Sequence, residues 1–343
     1  MIFQGGAGLI PAMFKHVTII GDGAMGSVCA MLLCENQVAT RLWGYDAAQL
    51  AEIASNRENV RFMPGYALPD ELVFEADDAK ALAGAELVVS AVPCQFMRGT
   101  WRRLKPHLPT GAAIVSTTKG VENKTLLRPT EILRDILGDG YPLAVLSGPT
   151  IADELARRLP ATATAASADS DLARRIQQTF TTSMFRVYTN DDVIGVELAG
   201  AMKNVIAIAA GIIDGIGAGD NAKAALLSRG LAEIERLGVA LGAKDKTFSG
   251  LSGLGDLVTT CVSPKGRNRS FGERIGKGAT AQEAIASTQS VVEGAATCDS
   301  VLDLARRCRV EMPITEAVYA IIHGQKSVKQ ALAELMGRQL KAE

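Results

Sequence analysis

The chain has 343 residues, which is too long for one ordinary hydrophobic core and suits two domains. Hydrophobic residues make up 48% of the sequence and the formal net charge is -1, so a large core can be buried and neither nucleic acid nor an anionic membrane is expected as a partner. The six cysteines show no CxxC spacing and there are three histidines, which favours cysteines buried in a reducing compartment and predicts no metal site.

The first twelve residues, 1–12, carry no charge and no long apolar run. A signal peptide needs a basic start and an apolar segment, so these residues do not have its pattern. We expect them to form a loose extension, with Met13 as an alternative start. The sequence therefore predicts a soluble cytoplasmic protein without stable membrane insertion.

A glycine motif follows the first predicted strand. Residues 15–20 form a short β-branched run, and the motif Gly21-Asp-Gly-Ala-Met-Gly26 leads from it into a predicted helix. A GxGxxG motif between a strand and a helix is typical of dinucleotide-binding folds, although a plain glycine-rich turn is the alternative. Gly21 allows the tight turn, Gly23 lets the backbone approach the pyrophosphate, and Gly26 lets helix and strand pack closely. The pyrophosphate then lies on the helix N-terminus.

The end of the second predicted strand, residues 40–43, is followed by Gly44-Tyr45-Asp46. An acidic residue at this place binds the ribose of NAD, and a basic residue accommodates the phosphate of NADP. Tyr45 is neither acidic nor basic, and Asp46 is expected to cap the next helix. The choice between the two cofactors stays open at this site.

Buried strand patterns continue to alternate with helices up to Asp191. The further predicted strands are 72–74, 86–92, 113–117, 143–146, 161–166 and 184–188. This alternation predicts a parallel, doubly wound α/β domain over residues 13–191. Lys119 follows the carboxyl end of one strand and Thr150 that of another, which makes both candidates for a ligand site, with a surface lysine as the alternative for Lys119.

Strand patterns stop after Asp192, so we predict an all-helical domain over residues 192–343. The helices predicted there are 193–214, 221–241, 255–261, 268–276, 281–286, 294–307, 314–322 and 328–336. Thr280 with Glu283, and Ser327 with Gln330, have the spacing of capping boxes.

The first of these helices is apolar on nearly all sides, which predicts a buried helix. It nevertheless carries Glu197, Lys203 and Asn204. Lysine is rarely buried unless it is paired, because desolvating an ammonium costs free energy, and buried ionisable groups are biased toward functional sites. Two other interpretations stay open: a core helix whose lysine reaches the surface, and a membrane span, which the central charges disfavour.

Two loops interrupt the helical half. Residues 248–256 are rich in glycine, so their backbone can approach a ligand, and they present Asp256 at a helix start. Residues 263–269 place three basic side chains around Asn268. An Arg267-Asn268 pair at a helix N-terminus suits a phosphate group, and a solvated basic turn is the alternative.

Taken together, these segments resemble the NAD(P)-dependent glycerol-3-phosphate dehydrogenase family of bacteria. The resemblance covers residues 13–335 in order, and Glu-Leu-x-Gly-Ala-x-Lys-Asn is its most specific motif. The segments that carry it are 21–26, 91–93, 118–122, 146–150, 195–205, 253–256, 266–269 and 291–294. The implied fold is a Rossmann-like doubly wound sheet followed by helices.

The resemblance implies that dihydroxyacetone phosphate and NADPH or NADH react reversibly to give sn-glycerol 3-phosphate, which supplies phospholipid synthesis. It implies that Lys203 donates the proton to, or accepts it from, the substrate oxygen. The implied substrate-binding residues are Lys119, Gly148, Thr150, Lys203, Asp256, Gly266, Arg267 and Asn268. The implied cofactor-binding residues are Gly21, Gly23, Ala24, Met25, Gly26, Tyr45, Lys119, Ala152, Arg267, Val291 and Glu293.

Three positions depart from the usual bacterial pattern. Met25 replaces a common aromatic residue, Tyr45 replaces an expected basic residue, and Gly266 replaces a common serine. A β-hydroxyacid or ketopantoate-type reductase, and a non-catalytic dinucleotide sensor, are the alternative functions. The substrate partner is expected to be a small phosphorylated molecule, and the apolar helical half is compatible with the homodimer that we expect.

Overall fold

The computed structural model describes residues 13–287 and 291–339, so our expectation for residues 1–12 falls outside the described residues. Its sheet contains the strands β1 to β8, which are His16–Ile20, Ala39–Trp43, Val73–Phe74, Leu87–Ser90, Ala113–Ser116, Leu143–Ser147, Ala161–Ala166 and Phe185–Asn190. The order across the sheet is β3-β2-β1-β4-β5-β6-β7-β8. The predicted Rossmann-like sheet is confirmed.

The last two strands, β7 and β8, run antiparallel to the other six. β6 and β7 pair antiparallel, with Leu146 opposite Ala165, whereas the remaining neighbours pair in parallel. Our prediction of an entirely parallel sheet was therefore wrong for β7 and β8. The helix between β6 and β7 has five residues. It spans about 7 Å, which is less than half of the roughly 16 Å of a five-residue strand, so it does not return the chain to the other end of the sheet.

Of the helices α1 to α16, those from α8 onward have bounds close to the predicted ones, except for α10, which was not predicted. In chain order, α1 to α16 are Ala24–Glu35, Ala47–Asn56, Asp78–Leu82, Cys94–Leu104, Pro129–Leu137, Ala152–Ala156, Ser170–Phe180, Val193–Gly215, Asp220–Ala240, Asp245–Phe248, Asp256–Val262, Arg267–Gly276, Ala281–Ala286, Glu293–Cys308, Pro313–Ile322 and Val328–Met336. A 3₁₀ turn, Lys105–His107, follows α4, and a π-helical turn, Leu251–Gly255, precedes α11. The sequence pattern predicted neither α5 nor α10. Both predicted capping boxes are formed.

Helix α8 lies at the centre of the helical half, where α9, α11, α12 and α14 pack around it. It is long and apolar enough to cross a membrane, but 94% of its most apolar 18-residue stretch is buried inside the protein. The membrane interpretation is therefore disfavoured, and α8 is a core helix, as predicted. Asp192 caps its N-terminus by accepting a hydrogen bond from Gly195 N at 2.9 Å.

Helices α8 and α12 approach each other closely because glycines face backbone at their contact. A Cβ atom added to Gly211 of α8 would lie 1.9 Å from the carbonyl oxygen of Arg269, and one added to Gly272 of α12 would lie 2.0 Å from that of Ile208. Gly215 and Gly276, four residues further along each helix, show the same relation. This contact fixes the position of α12 along α8.

Candidate active site

The glycine motif lies between the carboxyl ends of β1 and β4, where the strand order reverses. Gly21 has φ +113° and packs against the carbonyl of Ala91, while a Cβ on Gly26 would lie 1.8 Å from the Gly21 oxygen. No heavy atom lies within 4 Å of a Cβ built on Gly23 among the described residues. The N-terminus of α1 has no side-chain cap. Open space above free N–H groups suits a dinucleotide pyrophosphate.

The buried lysine of α8 belongs to a cluster that spans both halves of the chain. Lys203 Nζ donates hydrogen bonds to Asp256 Oδ1 and, at 2.6 Å, to Thr260 Oγ1. Lys119 Nζ donates to the other carboxylate oxygen, Asp256 Oδ2, at 2.6 Å. Lys203 is 5% exposed and Asp256 is 1% exposed. One buried carboxylate therefore holds two ammonium groups.

Burial lowers the pKa of Lys203 from 10.5 to about 7. The Asp256 carboxylate opposes this change, and the positive charge of Lys119 adds to it. A lysine whose pKa lies near neutrality exchanges a proton readily at ordinary pH, which is the property required of a general acid or base. The interpretation of Lys203 as a lysine that reaches the surface is therefore excluded by its burial.

Lys119, Gly148 and Thr150 meet beside this cluster. Lys119 Nζ donates a hydrogen bond to the Gly148 oxygen at 3.1 Å, and Thr150 Oγ1 donates to the same oxygen at 3.1 Å. A Cβ on Gly200 of α8 would lie 3.6 Å from Cγ of Lys119, so the lysine stem rests on this glycine. The Lys119 ammonium is thereby held at the carboxyl end of β5 and β6.

The N-terminus of α12 forms a second potential anion site. Gly266 is its N-cap and supplies no side-chain hydrogen bond, so the first N–H groups remain available for an anion. Asn268 Oδ1 accepts a hydrogen bond from Gly294 N at 2.9 Å, which leaves the amide N–H₂ of Asn268 as a donor. Arg267 is exposed at the start of α12. These groups together suit a phosphate.

The loop before α12 also contacts the sheet domain. Lys265 Nζ lies 2.5 Å from Asp153 Oδ2, and the Tyr66 hydroxyl donates to Asp153 Oδ1 at 2.7 Å. Asp153 follows Ala152, the first residue of α6. The ion pair therefore joins the potential phosphate site to the helix where the cofactor was predicted to bind.

Three further predicted residues, Glu293, Val291 and Tyr45, have different surroundings. Glu293 is the first residue of α14, and burial raises the pKa of its carboxyl group. The positive charges of Arg267, Lys119 and Lys203 oppose this rise, which indicates that these three residues are near Glu293. Val291 is 43% exposed two residues before it. Tyr45 is 69% exposed, two residues after the end of β2.

Glu197 does not join the lysine cluster, although it shares a helix face with Gly200 and Asn204. Its carboxylate accepts hydrogen bonds from Thr130 N at 2.7 Å, from Thr130 Oγ1 at 2.8 Å, and from the Arg128 guanidinium. Glu197 therefore anchors α8 to the N-terminus of α5. Thr260 was not predicted, although its spacing of four residues from Asp256 on a helix places it on the same face.

A glycine motif where the strand order reverses, together with a buried lysine whose pKa is lowered, has the features of a nicotinamide-dependent dehydrogenase. Two family models match this chain: the NAD-dependent glycerol-3-phosphate dehydrogenase N-terminus over residues 16–173, and the C-terminus of the same enzyme over residues 192–333. The chain belongs to the NAD-dependent glycerol-3-phosphate dehydrogenase family.

Relatives of this chain carry the same description. It is 47% identical to a glycerol-3-phosphate dehydrogenase (NAD(P)+) of Citrifermentans bemidjiense, over 96% of this chain and 99% of the relative. It is also 47% identical to one of Streptomyces griseus, over 95% of this chain and 97% of the relative.

Solved structures agree. The crystal structure of glycerol-3-phosphate dehydrogenase from Coxiella burnetii has a TM-score of 0.91 and 37% identity, over 94% of this chain and 99% of that one. A ketopantoate reductase from Ralstonia eutropha has a TM-score of 0.59 and 18% identity, over 90% of this chain and 97% of that one, which indicates a shared fold alone.

Proposed function

We propose that the chain transfers a hydride reversibly between NADH or NADPH and dihydroxyacetone phosphate, with sn-glycerol 3-phosphate as the reduced product. The chain is an NAD(P)-dependent oxidoreductase of the glycerol-3-phosphate dehydrogenase family. The observation that carries the proposal is the buried Lys203–Asp256–Lys119 cluster. The charges of Arg267, Lys119 and Lys203 all lower the pKa of Glu293 against the effect of its burial, which is consistent with Arg267 lying near the two lysines. A proton donor and an anion site in one crevice suit a phosphorylated ketone.

The proposed mechanism assigns the proton to Lys203. A nicotinamide cofactor held at the glycine motif and the N-terminus of α1 would supply the hydride to the carbonyl carbon, and negative charge would then develop on the carbonyl oxygen. The Lys203 ammonium stabilises this charge and donates a proton to the oxygen, and the neutral amine accepts it back in the reverse direction. Asp256 and Thr260 accept hydrogen bonds from Nζ and orient it.

Substrate positioning is assigned to the groups around the lysine. Arg267, the Asn268 amide and the free N–H groups of α12 bind the phosphate, which fixes the carbonyl relative to the nicotinamide. Lys119 lies beside Gly148 and adds positive charge near both ligands. The cofactor site is completed by Ala24 and Met25 of α1, Tyr45, Ala152, Val291 and Glu293.

The rate of reaction should depend on pH with opposite signs in the two directions. Reduction needs protonated Lys203, so its kcat/KM should be highest below a pKa of about 7 and fall as the pH rises above it. Oxidation needs the neutral amine, so its kcat/KM should rise over the same interval. Initial rates measured in both directions from pH 5 to 9.5 test this. Titration of the substrate phosphate would change both directions alike, so parallel profiles would contradict the assignment to Lys203.

Removing the Arg267 guanidinium should weaken use of the phosphorylated substrate. We expect Arg267→Ala to lower kcat/KM for dihydroxyacetone phosphate by about 10- to 100-fold, mainly through KM, because a hydrogen bond to a charged group contributes about 1.5–3 kcal/mol. Arg306→Ala is the matched control, since Arg306 pairs with Asp303 on the exposed face of α14. An unchanged KM in Arg267→Ala would place the phosphate elsewhere.

The reaction itself is tested by the loss of absorbance of NADH and NADPH with dihydroxyacetone phosphate, with unphosphorylated dihydroxyacetone as the control. Turnover confined to the phosphorylated ketone supports the proposal. Turnover of a keto acid instead would favour the ketopantoate-type alternative, and cofactor binding without turnover would favour a sensor. We further propose a cytoplasmic homodimer whose product supplies phospholipid synthesis, and light scattering tests the dimer.

A further inference from the structure

The end of β2 holds a group of charged residues that the proposed reaction does not use. In doubly wound folds the second strand ends at the adenosine ribose of the dinucleotide, whose 2′ substituent distinguishes NAD from NADP. The 2′ position carries a neutral hydroxyl in NAD and a phosphate in NADP. The charges around Gly44 and Tyr45 therefore bear on cofactor choice, an inference that rests on the proposed dehydrogenase function.

Asp46 occupies the N-terminus of α2. Its Oδ1 accepts hydrogen bonds from Ala48 N at 2.9 Å and from Gln49 N at 3.3 Å. These N–H groups are the donors that a helix N-terminus offers to a phosphate. A 2′-phosphate at this point would meet a carboxylate in place of free donors, which is unfavourable, whereas a 2′-hydroxyl can donate a hydrogen bond to the carboxylate.

A second carboxylate lies beside Gly44. A Cβ added to Gly44 would be 2.7 Å from Asp22 Oδ2, so the Asp22 side chain lies directly against the residue that ends β2. Gln49 Nε2 donates a hydrogen bond to the same oxygen at 2.8 Å, which holds the carboxyl group in place. Asp22 thus presents a second oxygen acceptor where the ribose is expected.

The arginine next to this position is already paired. Arg103 Nε lies 2.7 Å from Asp78 Oδ2, and Arg103 Nη2 lies 2.8 Å from Asp78 Oδ1. The guanidinium carbon is 5.1 Å from the Trp43 ring centroid and 5.4 Å from that of Tyr45. Asp78 Oδ1 also accepts a hydrogen bond from Trp43 Nε1 at 3.0 Å, so Asp78 is itself fixed. A bidentate pair of this kind neutralises Arg103 and holds it under the Tyr45 ring.

Arg61, the other arginine nearby, is also engaged. Its Nη1 donates to Gln49 Oε1 at 2.9 Å, and its guanidinium carbon lies 5.0 Å from the Phe62 ring centroid. The group at the end of β2 therefore contains the carboxylates Asp22, Asp46 and Asp78 against the guanidiniums Arg61 and Arg103. Three carboxylates against two guanidiniums leave this group with a net negative charge. A negative charge favours a ribose with a neutral 2′-hydroxyl over one with a 2′-phosphate.

We propose that this site selects NADH over NADPH and that Asp78 is a specificity-determining residue, because it withholds Arg103 from a 2′-phosphate. The wild-type chain should show a kcat/KM for NADH about tenfold or more above that for NADPH. The reason is that repulsion between the 2′-phosphate and the three carboxylates outweighs the attraction of the two arginines, which already bind other residues. Equal values, or a preference for NADPH, would overturn the proposal. Absence of turnover with both cofactors would instead count against the proposed function.

Direct binding provides a readout without turnover. Calorimetric titration with ADP-ribose and with 2′-phospho-ADP-ribose, at fixed ionic strength, should show tighter binding of the unphosphorylated ligand by about tenfold or more. This experiment remains valid if the chain reduces a different ketone. Tighter binding of the 2′-phosphorylated ligand would overturn the proposal.

Two variants test the residues. Asp78→Asn should raise kcat/KM and affinity for NADPH severalfold with little change for NADH, because Arg103 is released, and adding Arg103→Met should abolish that gain. Asp77→Asn is the matched control, since Asp77 caps the same helix by accepting from Lys80 N, and asparagine retains this cap. If Asp78→Asn does not fold, Asp46→Ser, which keeps the cap of α2 and removes its charge, should also raise NADPH use. If the ratio of kcat/KM for NADH to that for NADPH stayed the same in both variants, neither Asp78 nor Asp46 would contribute to the choice of cofactor.

Discussion

Lys203→Met is expected to lower kcat for the reduction of dihydroxyacetone phosphate by about 10²–10⁴-fold, the usual contribution of general acid catalysis. Methionine fills a similar volume and removes the proton. Asp256 keeps Lys119 as a partner at 2.6 Å, so no carboxylate is left buried without a counter-charge. The fold should therefore persist. Stopped-flow absorbance of NADH measures the chemical step, and circular dichroism reports the fold.

Lys277→Met is the matched control for this substitution. Lys277 follows α12, is largely exposed and pairs with Glu273 at 2.6 Å, so its loss removes the same charge away from the crevice. Its kcat should equal that of the wild-type chain. Wild-type kcat in Lys203→Met would remove Lys203 from the proposed proton transfer. If kcat stayed at that value and KM rose, Lys203 would be reassigned to substrate binding.

Gly211→Ala is expected to lower the stability of the helical half and to impair substrate binding together. The added Cβ would lie 1.9 Å from the Arg269 oxygen and 2.7 Å from Glu273 N, so α8 and α12 must move apart. Overpacking of a tight contact costs about 1–3 kcal/mol, and backbone atoms yield less than side chains. Because Arg267 and Asn268 begin α12, the same movement should raise KM for dihydroxyacetone phosphate. Thermal unfolding and steady-state kinetics measure the two effects.

Gly99→Ala is the control for Gly211→Ala. Gly99 lies inside α4, and no heavy atom lies within 4 Å of a Cβ built there among the described residues. Alanine in a helix interior is about 0.5–1 kcal/mol more favourable than glycine, so this variant should be as stable as the wild-type chain or slightly more so. An unfolding temperature for Gly211→Ala equal to that of Gly99→Ala would show that the two helices adjust without strain.

Much of the fold was predictable because its signals are local. The turn at Gly21, the cap at Asp46 and the apolar pattern of α8 each depend on residues close in sequence. The burial of α8 also followed from its apolar sequence, whereas the sequence left open whether Lys203 is buried or reaches the surface. The antiparallel direction of β7 was missed because it depends on how α6 returns the chain, which the strand pattern does not report.

The pairing of distant side chains could not be predicted from the residues alone. Lys119 and Asp256 are far apart in sequence, and no periodicity indicates that one carboxylate serves two lysines. The glycine spacing of Gly211 with Gly215, and of Gly272 with Gly276, is visible in the sequence, but the partner of each helix is not. The sequence likewise shows Arg103 only as a charged residue on a helix, and its pairing with Asp78 is seen only in the structure.

Helix α8 carries a dimensional constraint on the substrates that the crevice accepts. Glu197 fixes one end of the helix to α5, and the glycine contact at Gly211 fixes the other to α12. Asn268 at the start of α12 lies beside Asn204, the residue after Lys203, because a Cβ added to Gly294 would be 2.6 Å from the Asn204 oxygen and 2.8 Å from Asn268 Oδ1. The fixed contact between α8 and α12 thus keeps the proposed proton donor and the proposed phosphate site close together, so phosphorylated ketones with longer carbon chains should fit less well than a three-carbon one.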